Sequence, residues 1–100
     1  MVANKELLTI RHRYIQDYIS NWGDREYYIL EFVRADVNNK ENIKHNIAKY
    51  SNIMHQCIGA IDLLNSLLDV HRQDNDDMIF YQDTYGETRW HINYDNFPNK

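Results

Sequence analysis

The sequence predicts a mainly α fold: a small helical domain of three helices, the central one long, with a β-hairpin at its C-terminal end. Three observations predict it. Ile43, Ile47, Tyr50, Met54, Cys57, Ile61, Leu64 and Leu68 recur at alternating steps of four and three, the spacing that holds a single stripe on one side of a helix. Around Gly86 the period falls to two, as a pair of strands requires. Three glycines and one proline in 100 residues leave few breaks, so most of the chain is free to be regular.

From 4 to 21, Leu7/Leu8, Ile15, Tyr18/Ile19 and Trp22 mark the apolar face of a first helix with Asn4 as its cap. Gly23 suits a helix C-terminus and Asp24 an N-cap, so Trp22-Gly23-Asp24 predicts a corner and a second helix over 25–37. Residues 27–33 are apolar nearly all round and rich in strand formers, but the acidic residues before them and Arg34 after them favour a helix over a buried strand. Asn38 and Glu41 have capping-box spacing and open the central helix, which runs over 39–72.

Beside the main stripe of that helix runs a second row, Ile53, Ala60, Leu63, Leu67 and Val70, so the apolar face is wider than one partner helix needs. Such a helix is about 50 Å long, against a radius of gyration of about 13 Å for a compact chain of this size. It therefore breaks at Gly59, is crossed closely there, or protrudes and needs a partner. Over 78–94, Asp83-Thr84-Tyr85-Gly86 fits a type I turn completed by a left-handed glycine, which sets Phe80 opposite Trp90 and Met78 opposite Ile92. That register gathers Met78, Phe80, Trp90, Ile92 and Tyr94 on one face, and a lone ribbon is marginal in water, so the face must lie on the helices. Phe97 is placed to pin the tail that follows.

The chain has one core's worth of apolar side chains, hence a single domain over 1–100. No apolar run approaches a membrane span and the first residues lack a secretory apolar region, so a soluble, unexported, cytoplasmic protein is expected. Cys57 is the only cysteine and stands on the central stripe, which predicts a buried, inert thiol and no internal disulfide. A net charge of −4 argues against a dedicated nucleic-acid binder. Twelve Asn, eleven Ile and eight Tyr against four Ala make up the bias that accompanies A/T-rich coding, as in many phages and mobile elements.

Chemistry is sparse. His12, His45, His55, His71 and His91 contain no i,i+4 pair and no His-Glu-x-x-His, so no metal site is expected. Asp74-Asn75-Asp76-Asp77 starts like a calcium loop but lacks its glycine and closing glutamate, and reads as a solvated turn. Gly23, Gly59 and Gly86 are too dispersed for a phosphate loop, and Ser20, Ser51 and Ser66 stand in no glycine elbow. No enzyme activity and no cofactor are expected.

These residues support a non-catalytic protein-interaction module, a small adaptor or inhibitor that covers a partner protein's surface; phage-encoded anti-host or anti-defence factors are one such type. More aromatic residues are present than a core of this size requires, and Tyr, Trp and Arg dominate interface hot spots. The alternative is a binder of a small ligand or nucleotide signal, with nucleic-acid binding third. Candidate ligand- or partner-binding residues are Arg11, His12, Arg13, Tyr14, Lys40, Lys44, Lys49, Tyr81 and Arg89.

A homodimer is expected through Ile43, Ile47, Tyr50, Met54 and Cys57. Lys40, Lys44 and Lys49 make the start of the central helix basic, while Asp62, Asp69 and the aspartates after it make its end acidic, opposite to what its own dipole favours. An antiparallel copy would compensate. The competing arrangement brings Arg11 and Arg13 to Asp62 and Asp69 within one chain that kinks near Gly59.

Overall fold

The computed structural model describes residues 4–68 and 74–97. Two long helices dominate: α1 (Asn4–Arg34) and α2 (Val37–Leu67). A two-residue link, Ala35 and Asp36, forces them antiparallel, so Leu7 meets Leu64, Ile15 meets Ile61, and Tyr28 stacks on Tyr50 at 5.7 Å. A two-stranded antiparallel ribbon, β1 (Met78–Gln82) and β2 (Thr88–Ile92), and a short 3-10 turn, Tyr94–Asn96, complete the chain.

The predicted first and second helices are one helix, and there is no corner at Trp22-Gly23-Asp24. The physical reason lies in the phase. Leu8, Arg11, Ile15, Tyr18, Trp22, Arg25, Ile29 and Phe32 step by threes and fours straight through Gly23, so one face continues across it. A glycine inside a helix costs only about 0.5–1 kcal/mol, too little to end a helix whose face is packed on both sides of it.

The cap of α2 also differs from expectation. Asp36, not Asn38, caps it, its carboxylate accepting the Asn39 amide at 3.1 Å. Asp and Asn cap equally well, and the earlier residue leaves the shorter link. The helix runs unbroken through Gly59 to Leu67; its predicted extension over 69–72 lies outside the described residues.

The molecule is elongated, 51 × 33 × 23 Å, with a radius of gyration of 16.5 Å. Its core occupies one end. Ile15, Ile61, Met78, Ile92 and Phe97 form the main cluster, joined by Tyr18, Ile19, Phe80 and Trp90, and Leu7, Leu64 and Leu68 form a second. The ribbon register is the predicted one, Phe80 opposite Trp90 and Met78 opposite Ile92, with Gly86 at φ 80° in the turn. Asp83 holds that turn by accepting the amides of Tyr85 and Glu87 and the Arg89 guanidinium, and the Arg89 bond holds its carboxyl below the usual range. Tyr94 departs from the predicted strand face, entering the 3-10 turn, where it is exposed. Phe97 is buried, as expected of a pin.

Between Ile15 and Met54 no residue is buried. Among the described residues, the helical hairpin is thus a body covered by the ribbon and an arm, roughly residues 22–50, without a third layer. No helix among the described residues is long and apolar enough to cross a membrane.

Two measurements check this frame. Leu64, sealed between Leu7 and Leu68, should cost about 2–5 kcal/mol when truncated to alanine, read as a loss in urea-unfolding free energy. A Cβ added at Gly23 would meet nothing within 4 Å, so Gly23→Ala should stabilise by about 0.4–1 kcal/mol; a corner at that glycine would make the same change destabilising.

Candidate functional site

Two places in the structure are built for more than packing: a buried polar joint in the body and the open surfaces around it. The joint centres on Arg11, a seam position of α1 that is fully buried. Its Nη1 donates to Asn65 Oδ1 of α2 at 2.6 Å and its Nη2 to Asn75 Oδ1 at 3.1 Å. The same Asn75 oxygen accepts the amides of Asp77 and Met78, fixing the entry to β1. Burial lowers the Arg11 pKa, and the nearby Asp77 opposes that shift. Among the described residues, Arg11 Nε and Asn65 Nδ2 in the joint and Arg25 Nε farther along α1 are buried without a partner.

Asp77 is the counter-charge and the second hub. Its Oδ1 lies 3.0 Å from His12 Nδ1 and accepts Asn96 Nδ2 at 2.7 Å, and its carbonyl accepts the Asn93 amide at 2.9 Å. His12 in turn stacks on Phe97 at 4.6 Å. Of residues 74–77, read from sequence as a solvated turn, Asp74, Asn75 and Asp76 are exposed but Asp77 is buried, and the turn is also structural: Asp74 accepts the Phe80 amide and Asn75 organises the bend. No group of three or more metal-ligating side chains occurs among the described residues.

The residues singled out from sequence are dispersed. Arg11 and His12 belong to the joint, while Arg13 and Tyr14 are exposed. Lys40 lies over the Phe32 ring at 4.7 Å, Lys44 pairs with Glu41 at 3.6 Å, and Lys49 lies 5.5 Å from the Tyr50 ring. Tyr81 and Arg89 are exposed on the outer face of the ribbon, beside His91 and Asp83. The basic set does not converge on one pocket.

Nor does Arg11 reach Asp62, whose carboxylate accepts the Trp90 indole N–H. The stripe expected to receive a second copy lies against α1 within the chain. Met54 and Cys57 are buried there and Ile43, Ile47 and Tyr50 half-buried, with burial pushing the Cys57 thiol pKa up.

What the structure leaves open is different. Ile15 and Ile19 of α1 pack against the ribbon, and the same helical side continues into the arm through Trp22 and Glu26 to Leu30 and Val33, which no other described residue buries. Leu30, Val33 and Val37 are 57%, 73% and 84% exposed, high for such side chains on regular helices. Where arm meets body, Tyr18, Ile19, Trp22, Tyr94 and Phe97 line a cleft of about 370 Å³. On the opposite side of α2, the second row leaves Leu63 and Leu67 exposed. The row through Trp22 was legible in the spacing, but the supposed corner divided it.

No family model, curated protein or solved structure matches this chain.

The joint predicts a specific sensitivity. Arg11→Met keeps most of the volume but strips donors from Asn65 and Asn75, and should cost at least about 1–3 kcal/mol. Arg11→Lys should not restore it, because a single ammonium lacks the fork that spans both amides. Equal unfolding midpoints for wild type and Arg11→Lys would show that the fork is unnecessary.

Proposed function

We propose that this chain is a non-catalytic protein-interaction module, a small adaptor or inhibitor that covers a partner protein's surface, and that it works as a homodimer paired through its arm. The observation that carries this reading is the bare row on the arm. A helix buries its apolar face against another layer, and in the body the ribbon supplies that layer. In the arm the same side of α1, where Leu30 and Val33 are exposed, has no such layer among the described residues.

A second copy suits this face for an electrostatic reason. Residues 22–50 carry five acidic and five basic side chains, so the net −4 resides in the rest of the chain. Arms laid together antiparallel meet as balanced surfaces and hold the two acidic bodies at opposite ends, beyond a Debye length of about 8 Å. The contact is isologous and forms a four-helix layer, a stable way to cover two-helix faces. The bodies, with their cleft and ribbon, stay free for a partner.

Light scattering on the wild-type protein should give twice the 12.1 kDa chain mass. Leu30→Glu with Val33→Glu should give the monomer mass with the helical circular-dichroism signal retained, because both side chains are exposed in the single chain. A wild-type monomer at tens of micromolar protein would overturn the dimer.

A further inference from the structure

The cleft between α1 and the 3-10 turn is lined almost wholly by aromatic rings, Tyr18, Trp22, Tyr94 and Phe97, with Ile19 as the exception. At about 370 Å³ it is within the size range of ligand pockets, at the small end. We propose that it receives an arginine side chain of the partner protein, the rings holding the guanidinium and Ile19 the aliphatic stem. This deepens the reading of the chain as a protein-interaction module and rests on it.

Three observations point to that occupant. Aromatic rings carry a negative face and attract a cation within about 6 Å of the centroid, and arginine is the commoner cation in such contacts. Among the described residues, no lysine or arginine lines the cleft. His12, which stacks on Phe97, already has Asp77 as its partner. The body around the cleft also holds the net −4, which draws basic segments toward it, whereas the arm is balanced. A guanidinium is planar and weakly hydrated, so it leaves water for an aromatic cleft more readily than an ammonium does.

The test uses the full-length protein and two probes that differ in charge but hardly in shape, N-acetylarginine methylamide and N-acetylcitrulline methylamide. Each is titrated at constant ionic strength while the Trp22 indole N–H resonance is followed. The arginine probe should give a saturable shift, with citrulline at least about threefold weaker. Tyr94→Leu should abolish the difference and Tyr94→Phe retain it; Tyr94 is 57% exposed, so neither change threatens the fold.

Equal binding of the two probes would make the cleft a neutral apolar pocket and overturn the proposal. So would the absence of a saturable shift. Light scattering on the same samples reports arm pairing separately, so a cleft that ignores arginine leaves the module reading standing. A monomer whose cleft still prefers arginine removes the dimer alone.

Discussion

A guanidinium that gives up its hydration loses several kcal/mol of solvation, and the protein must return most of that through hydrogen bonds and a counter-charge. Arg11 is in that position, and much of the body's geometry follows from meeting its needs. Asn65 supplies one acceptor from α2, which fixes how the two helices lie along each other at this level. Asn75 supplies the other, and because its oxygen also takes two backbone amides, the start of β1 is tied to the same cation. Asp77 supplies the charge and binds the far end of the ribbon through Asn93 and Asn96. A two-stranded ribbon has little stability of its own. Here it is oriented by polar contacts and then sealed by Met78, Ile92 and Phe97 on Ile15 and Ile61.

The parts of this arrangement that sequence makes legible are those governed by local spacing. The α2 stripe, the ribbon register, the left-handed glycine and the pinning phenylalanine all follow from periods and turn chemistry acting over a few residues. The continuity of α1 was obscured because two of its seam positions are arginines. Arg11 and Arg25 are not apolar, and an apolar row read without them stops at Trp22. Gly23 then looked like an end. The turn-forming half of the Asn75 role is local, but its bond to Arg11 had no local signal, since that partner is 64 residues earlier in the chain. Of the candidate site residues, Arg11 and His12 proved important for building the body, while the lysines of α2 are occupied singly along the helix.

The contrast between body and arm is a contrast in layers. Both ends use the same helix pair with the same phase, yet one is covered by the ribbon and the other by no further layer among the described residues. A covered apolar row supports the fold, whereas a bare one offers area to a second surface. The aromatic cleft lies at the boundary, where Trp22 belongs to both, so a ligand there would touch the base of the arm as well as the body.

The link at Ala35 and Asp36 sits at the point of the molecule farthest from any buried side chain. Opening the helical hairpin from this tip breaks backbone hydrogen bonds but releases few sealed apolar contacts until Ile15 and Met54 are reached. Amide protection should therefore be graded along both helices, lowest at the link and approaching the global value only at those two residues. The single chain then behaves as a cooperative block with a fraying end, and whatever covers the arm also sets how much of the molecule unfolds as one unit.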